Sequence, residues 1–308
     1  MNTKQLLQNL KTPERIVDVV LDTDAYNEID DQFAISYMLR SPERINVRGI
    51  CAAPFFNEKS SSPEDGMRKS YDEILKILDL AGKPELTDLV FYGSESFMEE
   101  ESKPILSDAA RFLASLAKEY SSDNPLYIVA IGTITNVASA LLLEPELREK
   151  AVVVWLGGNE MFRPMTDEFN LRQDLRAARV IFGCGVPVVQ LPCCGVVDHF
   201  TVSRPELEYW LLGKNPLADY LARNTISCGD SYALGKPWTR VIWDVTAIGW
   251  LLNDGERFMH DELSPVPQIG LDGSWSFGDG ERKIRRVIHI NRDALMEDLI
   301  EKLASETC

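Results

Sequence analysis

The chain has 308 residues, enough for one large α/β domain or two small ones. Acidic residues outnumber basic ones 48 to 32, and the net charge of −16 argues against nucleic acid or an anionic membrane surface as a partner. Hydrophobic residues make up 45%, adequate for a sizeable core, and no apolar run reaches transmembrane length. The N-terminal Met-Asn-Thr-Lys-Gln is polar and lacks the apolar centre of a signal peptide. The six cysteines (Cys51, Cys184, Cys193, Cys194, Cys228 and Cys308) form no Cys-x-x-Cys pair, which disfavours zinc. Buried free thiols are expected at Cys193-Cys194. A reduced, cytoplasmic protein is the expectation.

In chain order, Asn2 to Glu14 reads as a short amphipathic helix closed by Pro13. The apolar run Ile16 to Leu21 reads as a buried strand, and Phe33 to Leu39 as a helix. Asn46 to Ala53 is a second strand. The turn-rich Ser60 to Gly66 leads into a helix over Met67 to Leu80, which Gly82-Lys-Pro84 ends. Leu89 to Tyr92 is a third strand, and Ser94 to Pro104 is acidic and loop-like. Helix Ile105 to Tyr120, strand Leu126 to Ile131, helix Val137 to Leu143 and strand Ala151 to Leu156 follow, then helix Asp174 to Phe182 and strand Val186 to Leu191. This alternation predicts an α/β fold with an open, mostly parallel, Rossmann-like sheet flanked by helices.

Beyond Phe200 the pattern is mostly helical: Pro205 to Leu212, Pro216 to Ile226 and Val245 to Leu252. A late strand at Arg285 to Ile290 and a helix over Arg292 to Leu303 close the chain. There is no fixed-period repeat and no long linker. A single domain over 1–308, with a mostly helical insertion around 200–255, is expected.

The chemistry concentrates between the first strand and its helix, where Asp22, Asp24, Glu28, Asp30 and Asp31 crowd together. In open α/β sheets the crevice beyond the strand carboxyl ends is where ligands bind. Helix-start chemistry accounts for Asp30 or Asp31 but not for all five. Like charges this close repel unless a cation or solvent relieves them, and clustered hard oxygens favour Ca²⁺ or Mg²⁺. A solvated acidic loop is the competing reading.

Four later stretches fall where a sheet delivers residues to one edge. Asn57 ends the second strand, as a turn residue or a hydrogen-bonding group for a sugar hydroxyl. Gly132-Thr-Ile-Thr-Asn136 joins a strand to a helix and has the form of a helix N-cap. Thr166-Asp-Glu-Phe-Asn-Leu171 carries Glu168 and Asn170, groups that suit a furanose. Asp174 reads as the cap of the next helix. Arg240-Val-Ile-Trp-Asp-Val245 places Trp243 and Asp244 before a helix. Trp238 and Tyr232 lie close by in sequence, as walls of a pocket or as packing. His199, His260 and His289 lie outside every one of these motifs and read as structural or surface groups.

Taken in order, these motifs resemble those of the inosine-uridine nucleoside hydrolase family across roughly residues 16 to 250. Asp22-Thr-Asp24 and Asp30-Asp31 match the two halves of its Asp-x-Asp-Pro-Gly-x-Asp-Asp signature. The Pro-Gly is absent, and Ala25 to Ile29 holds two residues more than the family's linker. Gly132 to Asn136 is similar to the family's Gly-x-Leu-Thr-Asn turn, and Glu168-Phe-Asn170 to its Glu-Phe-Asn. The family asparagine eight residues before Asn170 is replaced by Phe162, with Asn159 as a stand-in if the loop is realigned. A His-Gly segment after the third strand is missing.

The resemblance implies a nucleoside hydrolase type of fold and a Ca²⁺ held by Asp24, Asp31, Asp244 and the Thr135 carbonyl. It implies that Asp24 is the general base, that Asp30 binds the 2-hydroxyl, and that Glu168 and Asn170 bind ribose. Trp243 occupies the place of a base-protonating histidine, as in the purine-preferring branch, where a tryptophan stacks on the base. The implied activity is hydrolysis of an N-glycosidic bond, releasing ribose from a nucleoside, purine preferred, in a homodimer or homotetramer. The rivals are a hydrolase of a different riboside or other glycoside, and a non-catalytic sugar or nucleoside binder. Asp24 argues against the second rival, because a binder has no need of a water-activating base.

Overall fold

The computed structural model describes residues 1–163, 165–277 and 280–305, so Cys308 lies outside the described residues. The strands are β1 (Val17–Thr23), β2 (Ile45–Ala52), β3 (Val90–Phe91), β4 (Leu126–Ala130), β5 (Ala151–Leu156), β6 (Val188–Leu191), β7 (Thr201–Ser203), β8 (Thr239–Val241), β9 (Met259–Pro265), β10 (Pro267–Ile269), β11 (Trp275–Phe277) and β12 (Lys283–Ile290). The helices are α1 (Thr3–Asn9), α2 (Asp31–Leu39), α3 (Pro63–Leu80), α4 (Asp108–Ser115), α5 (Thr135–Leu143), α6 (Phe169–Gln173), α7 (Leu175–Cys184), α8 (Arg204–Trp210), α9 (Pro216–Ala233), α10 (Val245–Leu251) and α11 (Arg292–Ala304).

Among the described residues an eight-stranded sheet runs in the order β3-β2-β1-β4-β5-β6-β12-β9. Only the edge strand β9 is antiparallel to its neighbour. The expected mostly parallel sheet flanked by helices is therefore present. Its central strands β4 and β5 read as unbroken apolar runs because both faces are covered. Val19 and Leu21 enter one core with Phe33, Met38 and Trp250, while Val20 enters the other with Ile128, Trp155 and Leu141. α2 has no solvent face: all of Asp31 to Leu39 is buried. β1 lies between β2 and β4, so successive crossovers leave it in opposite directions and open a crevice at its carboxyl end. Two backbone bonds carry the ladders one residue past the strand ends: Ile131 N–H donates to the Asp22 carbonyl (2.9 Å), and Ala53 N–H to that of Thr23 (2.8 Å).

Several predicted boundaries move for identifiable reasons. The first helix spans only Thr3–Asn9, capped by the Asn2 side chain (Gln5 N–H to Oδ1, 2.9 Å). The helix expected from Ile105 begins at Asp108, because the Ser107 hydroxyl caps it by accepting from Ala110 N–H. α3 starts at Pro63, before the predicted Met67, with Ser62 as cap. Strands β7 to β11 were not anticipated. β7 and β8 form a ribbon inside the helical stretch 200–255, and β10 and β11 form a hairpin. No described helix is long and apolar enough to cross a membrane.

Candidate active site

The acidic loop leaves β1 at the crevice and returns as α2. Its carboxylates are buried: Asp22, Asp24, Asp30 and Asp31 are each at most 2% exposed, and Asp244, entering from the segment before α10, is 3% exposed. A solvated acidic loop is thereby ruled out. Carboxylate oxygens of Asp30, Asp31 and Asp244 lie within 4.8 Å of one another. Thr23 Oγ1 donates to Asp31 Oδ1 (2.5 Å), and Asp244 N–H to Asp30 Oδ2 (3.3 Å). Asp22 points to the other side, where Asn136 Nδ2 donates to its Oδ1 (2.8 Å).

Burial pushes every one of these carboxyls upward. Asp31 rises to about 6, with the Thr23 hydroxyl pulling the other way, and Asp22 to about 7. Burial, with the negative charge of the neighbouring aspartates, raises Asp24, Asp30 and Asp244 further. Asp24 Oδ2 and Asp30 Oδ1 are buried with no hydrogen-bond partner among the described residues. Unpartnered buried carboxylate oxygens are costly unless something positive meets them. A hard divalent cation fits this donor set, which is all oxygen.

A cavity of about 690 Å³ opens over the cluster. Asp24, Asp30, Asp31, Asn57, Glu168, Asn170, Trp243 and Asp244 all line it. Thr135 does not, and here the sequence expectation is corrected. α5 begins at Thr135, so its carbonyl joins the helical ladder and points along the axis toward the C-terminal end. Its hydroxyl donates to Asp174 Oδ2 (2.7 Å). The residue of that turn lining the cavity is Ile131, whose carbonyl accepts from Asn170 Nδ2 (3.0 Å).

The sugar-side residues are held from below. Asn170 spends its second amide hydrogen on the Leu156 carbonyl (3.1 Å), which leaves Oδ1 as the ligand-facing group. Glu168 caps α6 and accepts from the backbone N–H groups of Gly158, Asn170 and Leu171 at 2.8–2.9 Å. Burial raises its pKa while those donors pull it down. Gly158, at φ 75°, makes the turn that brings its N–H to Glu168. Asn159 follows it and lines the cavity, buried, with Oδ1 accepting from Cys194 N–H (3.1 Å), whereas Phe162 is 73% exposed. The realigned asparagine is the one at the cavity.

The loop carrying these groups is braced by the β10–β11 hairpin. Thr166 donates to the Gly273 carbonyl through N–H (2.7 Å) and Oγ1 (2.8 Å), and Trp275 Nε1 donates to the Arg163 carbonyl (2.7 Å).

Sequence reasoning passed over Asn27, Arg163 and the carbonyl-bearing Ile131, and counted Glu28 in the acidic cluster without a role of its own; all four line the cavity. Asn27 Oδ1 accepts from Asn57 Nδ2 (2.6 Å), a pairing foreshadowed only by the odd length of the acidic loop. Cys193 and Cys194 also line the cavity, half-buried rather than sequestered, and burial raises both thiols. None of the three histidines lines it, and all three are exposed. Trp238 packs on Gly229 and donates Nε1 to Asp230 (3.3 Å), and Tyr232 is exposed; neither lines the cavity.

The sequence profile of the inosine-uridine preferring nucleoside hydrolases matches residues 19–289. A pyrimidine-specific ribonucleoside hydrolase of Citrobacter koseri is 32% identical over 89% of this chain and 95% of its own length. A non-specific ribonucleoside hydrolase of Salmonella agona is 27% identical over 76% of this chain and 78% of its own. Among solved structures, a purine-preferring ribonucleoside hydrolase from Gardnerella vaginalis is similar in fold, with TM-score 0.72 at 22% identity, covering 93% of this chain and 98% of that one. With the profile matched from β1 to β12 and the buried carboxylates gathered at the carboxyl end of β1, the chain belongs to the inosine-uridine preferring nucleoside hydrolase family.

Proposed function

We propose that this chain is a Ca²⁺-dependent hydrolase of ribonucleosides that prefers purines. The observation that carries the reading is the gathering of buried, partly unpartnered carboxylates and Trp243 in one cavity. Asp24, Asp31, Asp244 and the Ile131 carbonyl, in place of Thr135, would hold the ion. Asp30 stands beside them. When bound there, Ca²⁺ supplies an oriented, acidified water and a grip on ribose hydroxyls. Asp24 accepts the water's proton at its free Oδ2. Asp30 holds the 2-hydroxyl, and its charge stabilises the oxocarbenium-like ring as the glycosidic bond breaks. Asn170 Oδ1 and Asn57 hold sugar hydroxyls, and Glu168 fixes the loop from which they are reached. Trp243 stacks on the leaving base, which takes its proton from solvent.

The purine arm rests on Trp243 alone, since a flat bicyclic base stacks best on an indole. The Citrobacter relative, pyrimidine-specific by name, makes the opposite preference the natural competitor. We also read residues 1–308 as a single domain, since one sheet runs from Val17 to Ile290, and as a cytoplasmic homodimer or homotetramer, which sedimentation tests. The functional test is kcat/KM for inosine, adenosine, guanosine, uridine and cytidine beside p-nitrophenyl riboside. Purines should lead, and Trp243→Ala should erase most of their advantage with Ca²⁺ affinity intact. Uridine faster than inosine refutes the stacking argument. Turnover of the artificial riboside alone points to a different glycoside.

A further inference from the structure

The acidic loop is longer than the family's, and its extra length has a partner. Glu28 lies within Ala25 to Ile29, the linker that is two residues longer, and lines the cavity. Arg240 Nη2, from β8, donates to Glu28 Oε2 across 212 residues of chain. The Arg240 side chain is 17% exposed and that of Glu28 41%, so the cation is largely drawn out of water while the carboxylate that holds it keeps contact with solvent. Its guanidinium lies over two rings, 5.8 Å from the centroid of Trp243 and 6.0 Å from that of Tyr232. Gln32 Nε2 secures the loop from beneath by donating to the Ala25 carbonyl (2.7 Å) and the Glu28 carbonyl (3.3 Å). Ile242 N–H is tied to the Phe200 carbonyl (3.0 Å) on the far side. Trp243 thus sits between two ties from one loop: Glu28 to Arg240, and Asp30 to the Asp244 N–H.

We propose that Glu28 and Arg240 are positioning residues for leaving-group choice: the lengthened loop clamps Arg240 onto Trp243 and fixes the indole as the wall against which the departing base stacks. The inference rests on the ribonucleoside reading for its substrates, but the clamp itself does not. Its logic is steric and electrostatic. An unclamped Arg240 is free to leave the ring for solvent. Trp243, whose Nε1 has no partner among the described residues, then loses the contact that fixes its plane. A wall of uncertain plane penalises a two-ring base more than a one-ring base, because more stacked area is lost.

The experiment uses the full chain with Ca²⁺. Glu28→Gln, Arg240→Met and the double variant are compared by the inosine-to-uridine ratio of kcat/KM. The Trp243 indole N–H resonance, assigned by its loss in Trp243→Phe, is followed in parallel. Each single variant should lower the ratio about tenfold, the order expected for one partly desolvated cation–π contact. The double variant should be no worse than the worse single one, and p-nitrophenyl riboside should lose less than inosine. The indole resonance should move in both single variants, and Arg240→Lys should restore part of both readouts. An unmoved resonance, an unchanged ratio in folded variants, or additive losses overturns the clamp. If the unaltered chain cleaves no nucleoside, the functional reading falls and the indole resonance alone decides the clamp.

Discussion

Stripping the divalent cation from the acidic cavity should destabilise the fold more at pH 8 than at pH 5. Asp31 shows why. Its carboxyl rises from the ordinary 3.8 to about 6 on folding, chiefly through burial. A rise of about two units is a stability difference of about 3 kcal/mol. The folded state binds the proton more tightly than the unfolded chain, so stability falls as pH climbs from about 4 to about 6 and stays low above that. About half of that fall lies below pH 5, so between pH 5 and pH 8 Asp31 alone accounts for about 1.4 kcal/mol; with an unfolding entropy of about 0.65 kcal/mol per degree for 308 residues, this corresponds to roughly 2 °C in Tm. Carboxyls pulled the other way, such as Asp18 and Glu206, add stability that is lost only in acid below this window. Bound Ca²⁺ favours the ionised form and removes the penalty, and its binding releases protons below neutrality. The assay is Tm of chelated and Ca²⁺-loaded protein from pH 5 to 8. The gap should widen with pH, and Asp31→Asn should make the chelated curve less steep without levelling it, since Asp24, Asp30 and Asp244 are raised as well. A gap that is constant across the range, or a chelated protein most stable at pH 8, would refute the reasoning.

Three further outcomes are expected. Asp24→Asn should nearly eliminate ribose release while calorimetric Ca²⁺ binding persists, because an amide cannot accept the water's proton; unchanged turnover at full occupancy removes Asp24 as the base. Asn170→Ala should slow every ribosyl substrate by a similar factor, worth about 1–3 kcal/mol for a lost buried partner, in steady-state kinetics; a loss confined to one base moves it out of the sugar pocket. Asn136→Ala should lower urea-unfolding stability by about 3 kcal/mol, since its amide leaves Asp22, the Ala52 carbonyl and Ser94 without partners; a change within about 0.5 kcal/mol shows that water replaces it.

The central sheet was legible because strands covered on both faces must be apolar at every position. Ala151 to Leu156 was read with its true boundaries for that reason. β9 was not, because a peripheral strand needs only its ladder to β12: Met-His-Asp-Glu-Leu-Ser-Pro buries little beyond Met259 and Ser264. At the site, carboxylates at the carboxyl end of β1 announce themselves by their density. A backbone carbonyl has no such signature, so Thr135 draws notice by its side chain while Ile131 passes unmarked. Asn159 was displaced from its expected spacing by the turn at Gly158, a shift that pattern matching sees only as a mismatch. The pairing of Glu28 with Arg240 depends on the sheet bringing two distant segments together, and neither residue alone differs from an ordinary surface charge.

The hairpin behind the sugar-side loop has a mechanical consequence. Because Thr166 and the Arg163 carbonyl are fastened to Gly273 and Trp275, that wall of the cavity cannot swing out by itself. Moving that wall relative to the hairpin breaks the three hydrogen bonds that join them among the described residues. The hairpin is anchored at Ile269, buried in the core, while its tip around Leu271 is exposed. The sugar-side wall is thus tied to a part of the chain that lies outside the chamber itself.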